Sequence, residues 1–210
     1  MSDPKVKHPL FARLYSRALA PAFARQGGED LRRRLLSGLK GTVVEVGCGD
    51  GANFAHYPDT VSRIVAVEPE AYLREQASSH SDERVELRDT VATRLPVGDG
   101  EADAVVFSLV LCSVDQSAAL AEALRVLRPG GELRFLEHVL AHEPGFTRRA
   151  QRVLDATVWP RLFGGCHTSR DTVGAIEAAG FTVTELERFT IPENARGPAS
   201  AAVLGSAVPA

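Results

Sequence analysis

Between Thr42 and Phe54 the chain reads TVVEVGCGDGANF: a β-branched apolar run enclosing one acid, then glycines at alternate positions, Gly47, Gly49 and Gly51. The run Thr42-Val43-Val44-Glu45-Val46 has the composition and length of a buried strand. Glycines directly after it permit a tight turn with positive φ and remove side chains where a ligand must touch backbone. A second run, Arg63-Ile64-Val65-Ala66-Val67-Glu68, ends in a carboxylate seventeen residues beyond Gly51. An acid at that distance can accept hydrogen bonds from both hydroxyls of a ribose. Strand, glycine turn and acid-tipped second strand together call for a sheet fold that receives a nucleoside-containing cofactor beyond its strand ends.

The spacing is GxGxG, whereas GxGxxG lays a dinucleotide pyrophosphate on a helix N-terminus. Glu45 stands two residues ahead of the first glycine. A carboxylate there repels a pyrophosphate and suits a ligand carrying an ammonium and a sulfonium. S-adenosylmethionine is therefore the expected cofactor. Gly47, Cys48, Gly49 and Gly51 are expected to contact it through backbone. Glu45 is expected to orient its amino group, directly or through water, and Glu68, followed by Pro69, to hold its ribose. Asn53 and Phe54 follow closely enough to line the pocket, or else to open the next helix. An NAD-binding oxidoreductase of the same topology and a non-catalytic S-adenosylmethionine-binding protein are the rival readings.

At 210 residues the chain has the length of one α/β domain. Apolar residues Leu10, Leu14, Ala18 and Leu19 recur at helical spacing and predict a helix over about 9–24, stopped near Gln26-Gly27-Gly28; a second follows over about 29–38. Strands are expected at 42–46, 63–68, 85–87, 104–111, 133–137 and 181–189, with a last one within 199–208. Helices are expected near 70–79 and 117–127, the latter closed by Arg128-Pro129-Gly130-Gly131. Alternation of strands and helices implies a doubly wound, mostly parallel sheet of Rossmann-like type. The stretch of about 141–170 is longer than one crossover requires and is read as a helical lid; residues 1–38 supply N-terminal helices of the same domain that form the other part of the lid, and 39–210 the cofactor-binding body.

A net charge of −3 gives no electrostatic reason to hold a polyanion, so nucleic acid is not an expected partner. Arg32-Arg33-Arg34 reads as a solvated helix face. Cys48, Cys112 and Cys166 are too few and scattered for a disulfide framework or a zinc pattern; no metal is expected, and reduced thiols suit a cytoplasmic location. The N-terminal MSDPKVKHPLFARLYSRALAPAF has no apolar stretch near the roughly 20 residues of a membrane span, nor a targeting signal.

The chain resembles the class I S-adenosylmethionine-dependent methyltransferases from about Leu39 onward. EVGCGDG matches the family's glycine-rich motif and VAVEPE its acidic strand end. LPVGDGEADAVVFSLVLCSV matches the third and fourth strand region, and VLRPGGELRFLEH the helix, turn and fifth strand. Within the family, SLVLCSV, FLEHV and GGCHTSRDTVGAIEAAGF are most similar to the alkyl thiol methyltransferases. The resemblance implies seven strands with the last antiparallel, and methyl transfer to a small-molecule acceptor. A thiol is the first expectation, and a C- or O-methylated quinone-type metabolite the alternative. Many relatives reach the adenine amino group with an acid before the Leu-Pro pair; here Val91 or Ala92 aligns there, implying a backbone contact, with Asp89 as a further candidate.

Ser108 and Leu109, at the carboxyl end of the fourth strand, are expected to border the transferred methyl, because ligands in such sheets lie beyond strand ends. His138, just after the fifth strand, is the first candidate for acceptor positioning or general base, and His167 the second.

Overall fold

The computed structural model describes residues 9–210, so the part of the N-terminal reading that rests on residues 1–8 lies outside the described residues. Seven strands form one sheet: β1 Gly41–Val46, β2 Val61–Val67, β3 Val85–Arg88, β4 Ala102–Ser108, β5 Leu127–His138, β6 Phe181–Thr190 and β7 Ala201–Pro209, in the order β3-β2-β1-β4-β5-β7-β6. Strands β1 to β5 pair in parallel, and β7 runs antiparallel to both its neighbours. The order reverses between β1 and β4, the switch point where such sheets receive ligands.

The central strands are apolar without a break because helices cover both faces. Val44, Val46, Val65, Val67, Val105 and Phe107 point into one core, beside helix Gln116–Val126. Val43, Ile64, Ala66, Ala104 and Val106 point into the other, beside Leu31, Leu35 and Leu36 of helix Glu29–Leu36. Period-two alternation thus splits each strand between two hydrophobic layers. Asp115 and Asp171 start their helices by accepting from the amides of Ala118 and Gly174.

Four local departures from the sequence reading bear on the site. β4 stops at Ser108 rather than Leu111, because Leu109 takes φ +62°. β5 starts at Leu127 and takes in the Arg-Pro-Gly-Gly segment, with a register irregularity between Ala102 and Ala104. No helix follows the glycine turn; a single 3-10 turn, Phe54–His56, leads to β2. Arg32 is buried rather than part of a solvated face, while Arg33 pairs with Asp30 at the surface and Arg34 with Glu187.

The N-terminal segment runs as helix Pro9–Leu14, wide turns Tyr15–Leu19, helix Ala20–Phe23 and wide turns Ala24–Gly28, broken at Gln26-Gly27. The insertion after β5 forms helices Phe146–Asp155 and Trp159–Leu162. Gln151, fully buried, anchors it: its amide oxygen accepts from Ala141 N (2.8 Å), and its amide nitrogen donates to the carbonyls of Val139 (3.0 Å), Thr168 (2.8 Å) and Pro198 (2.8 Å). The two segments meet where Phe11 lies against Gly164. Among the described residues no helix is long and apolar enough to cross a membrane.

Candidate active site

The turn after β1 is held to β2 by its first two amides: Gly47 N and Cys48 N both donate to Val67 O, at 2.7 and 3.0 Å. Gly47 has φ +68°, and a Cβ there would lie 2.6 Å from Val110 Cγ2. Only glycine lets β1 turn this close to the loop after β4. At Gly49, φ +58°, a Cβ would point toward Tyr15 at 3.4 Å, on the cavity wall.

Glu68 joins the turn to the end of β2. Its Oε2 accepts from Gly49 N at 3.0 Å and its Oε1 from Glu70 N at 2.8 Å. Burial pushes its carboxyl up to about 7, against the two amides that favour the charged form. Pro69, Glu70 and Leu73 continue the wall.

These groups border a cavity of about 500 Å³ at the carboxyl ends of β1, β2, β4 and β5. Gly47, Gly49, Glu68, Pro69, Val91, Ala92, Ser108, Leu109 and His138 all line it. Asp89 does not; its carboxylate pairs with Arg74 at 3.1 Å. The roof is made by the two segments read as a lid, Phe11, Tyr15 and Phe23 from the N-terminal one and Trp159, Phe163 and Cys166 from the insertion; the sequence reading gave Phe11, Tyr15 and Phe23 no part in it individually. Trp159 and Phe163 stack with centroids 4.1 Å apart. Three buried polar atoms of the wall have no hydrogen-bond partner: Ser108 Oγ, His138 Nδ1 and Trp159 Nε1.

Glu45, Cys48, Gly51, Asn53, Phe54 and His167 lie outside the cavity wall. Glu45 alternates onto the opposite face of the sheet, where Asn53 Nδ2 and the Tyr57 hydroxyl donate to it at 2.7 and 3.0 Å. Asn53 in turn accepts from Arg32 at 2.6 Å. The Arg32–Asn53–Glu45–Tyr57 chain braces the turn from behind, and burial raises the Glu45 carboxyl to about 7. Phe54 packs under Gly51, within 2.8 Å of where its Cβ would be. Cys48 is buried, its thiol pushed up by desolvation. His167 uses its main-chain amide, which donates to Cys112 O at 2.8 Å.

The loop after β4 owes its shape to Glu137. This fully buried carboxylate accepts from Val110 N (2.8 Å), Leu111 N (2.9 Å) and Cys112 N (3.4 Å). Desolvation raises its carboxyl well above the usual range, and the three amides oppose that. Leu109 N, one residue earlier, donates to Leu136 O at 2.7 Å, so the strained residue is pinned on both sides. His138, next in the chain, is held down to about 4 by burial, with the Ala201 carbonyl as a weaker opposing influence. Its imidazole is neutral at physiological pH.

The methyltransferase domain family matches residues 44–135. Human thiol S-methyltransferase TMT1A is 39% identical over 159 residues, 72% of this chain and 64% of that protein. Thiol S-methyltransferase TMT1B of Rattus norvegicus is 37% identical over 175 residues, 76% of this chain and 70% of that protein. The chain belongs to the class I S-adenosylmethionine-dependent methyltransferases. It spans just under two thirds of the human relative's length.

Solved methyltransferases share the fold. One, in complex with the Trm112 methyltransferase activator of Haloferax volcanii, superposes with TM-score 0.73 at 16% identity, over 97% of this chain and 99% of that one. Geranyl diphosphate methyltransferase in complex with S-adenosylmethionine does so with TM-score 0.70 at 17% identity, over 98% and 94%. S-adenosylmethionine fits the residues of this methyltransferase. A side-chain-free turn and a buried carboxylate meet on the cavity wall, which also carries unpartnered polar atoms.

Proposed function

We propose that this methyltransferase methylates small apolar thiols held beneath its roof. The observation that carries the reading is the acceptor end of the cavity. Leu109, Val114, Phe11, Trp159 and Phe163 make it apolar, and the unpartnered polar atoms there, on Ser108, His138 and Trp159, belong to neutral groups, with no carboxylate or ammonium among the described residues beside them. A thiol is weakly hydrated and loses little on entering such a pocket, whereas an ammonium acceptor would be left without a countercharge. The likeness to thiol S-methyltransferases supports the same acceptor.

Bound S-adenosylmethionine supplies a sulfonium methyl that is displaced in line. The chain's part is to hold and to exclude water. Glu68 and the glycine turn fix the nucleoside end, while Leu109 and Val110 border the methyl. His138, which takes up a proton only near pH 4, is a poor sink for a thiol proton. It instead accepts the S–H of the incoming thiol and aims its sulfur, and the reacting thiolate forms by the acceptor's own ionisation, its proton passing to solvent, near pH 8.5 for an ordinary thiol. The test is methyl transfer to matched alkyl thiols, amines and phenols over a range of pH. Turnover confined to thiols, rising with pH up to each thiol's own pKa, is the expected result; turnover on phenols with none on any thiol overturns it.

A further inference from the structure

Cys112 and Cys166 belong to separate segments, the loop after β4 and the end of the insertion, yet both line the acceptor end of the cavity. The main chain holds the segments together on each side of the pair. His167 N donates to Cys112 O at 2.8 Å, and a Cβ on Gly165 would lie 3.4 Å from Ser113 O. Positive φ at Gly164 (+61°) and Gly165 (+88°) folds the insertion down onto the loop. The two thiols thus face each other across this junction, close enough for each to shift the other's acidity.

The surroundings of the two thiols differ. Cys112 is buried, and its Sγ lies 3.6 Å from Leu109 O and 3.4 Å from Ser113 Oγ. Cys166 is partly exposed and sits beside the indole of Trp159, whose buried nitrogen has no hydrogen-bond partner. A thiolate answers that N–H better than a thiol does. Beside each other, Cys166 is drawn below the usual thiol range while Cys112, buried, is pushed up. Such asymmetry, one nucleophilic sulfur facing a cavity and one protonated sulfur behind it, is what thiol–disulfide exchange requires.

We propose that Cys112 and Cys166 form a dithiol site that exchanges with small apolar disulfides entering the cavity. The Cys166 thiolate attacks one sulfur of R–S–S–R, the S–S bond breaks, and one RS⁻ leaves. Cys112 then releases its proton to solvent or to the leaving thiolate as its sulfur attacks Cys166, expelling the second RS⁻ and forming the Cys112–Cys166 disulfide. Two electrons pass from the protein to the disulfide, which leaves as two thiols; an external dithiol reverses the change. The new bond staples the insertion to the β4 loop across the acceptor end and closes it to methyl transfer. This reaction needs no cofactor and stands whichever acceptor the methyltransferase uses.

The experiment treats the reduced full chain with bis(2-hydroxyethyl) disulfide without S-adenosylmethionine, measures released thiol, and maps peptides after an acid quench. Wild type is expected to release two thiols per chain and to yield a Cys112–Cys166 cross-link, with Cys48 unmodified. Cys112→Ser should release one thiol and retain a mixed disulfide on Cys166; Cys166→Ser should release none. Oxidised wild type should lose methyl transfer and regain it with dithiothreitol. A link through Cys48, a Cys166→Ser variant that releases thiol like wild type, or a folded wild type that stays reduced while its denatured form exchanges, each overturns the proposal.

Discussion

Replacing Glu68 with Gln keeps the shape of the side chain and removes its charge. A carboxylate offers about four lone-pair directions. Gly49 N takes one at Oε2 and Glu70 N one at Oε1, which leaves one on each oxygen for a ribose hydroxyl. A hydrogen bond to a charged group contributes about 1.5–3 kcal/mol. Gln loses one and weakens the other, so affinity for S-adenosylhomocysteine should fall roughly 10- to 100-fold. The pH dependence adds a second signature. With the carboxyl at about 7 in the folded chain and about 4.3 unfolded, the native state holds a proton between those values that the unfolded state has lost. Stability therefore falls as pH rises through that window, by roughly 4 kcal/mol, and is lowest above it. Ribose hydroxyls favour the ionised form, so wild type should release a proton on binding at about pH 6 and bind more tightly at about pH 8. Glu68→Gln should show neither effect and a flatter melting temperature against pH. Calorimetry in two buffers of different ionisation enthalpy reads affinity and proton count together. A Gln variant that binds within about threefold of wild type, or wild type that releases no proton at about pH 6, refutes the reasoning.

Glu137→Ala leaves the amides of Val110, Leu111 and Cys112 unanswered, and should cost about 3–5 kcal/mol in denaturant unfolding. Glu137→Gln should recover most of that, since one carbonyl oxygen can serve both shorter bonds; an Ala variant as stable as wild type would remove Glu137 from the account. Gly47→Ala combines a left-handed backbone with a 2.6 Å clash against Val110. The backbone part alone costs roughly 1–2 kcal/mol. A lowered melting temperature and lost cofactor binding are expected, and Val110→Ala in the same chain should restore only the part due to the clash.

What the sequence disclosed was whatever a local pattern encodes. The β-branched runs marked the strand cores, and Gly47 and Glu68 were legible as wall residues of the cavity because each type answers a local backbone need. Antiparallel β7 came from resemblance alone, since alternation carries no direction. Hydropathy extended β4 to Leu111, for it sees apolar Leu109-Val110-Leu111 and not the φ of Leu109 or the carboxylate that captures the next amides. Arg32 looked solvated because its partner, Asn53, lies behind a different turn. Glu45 kept its place in the motif but faces the other core, a consequence of strand alternation that the motif alone hid. The approach of Cys112 to Cys166 depends on tertiary folding and left no trace in spacing.

The floor and the roof of the cavity are built in different ways. Glu137 consumes the amide donors of the floor, so that surface has little left with which to choose among acceptors. On the proposed function, choice falls to Phe11, Trp159 and Phe163, borne by segments that are not strands of the sheet. Acceptor preference can therefore diverge, or be re-engineered, by exchanging a few aromatic side chains while the methyl-donating half stays as it is.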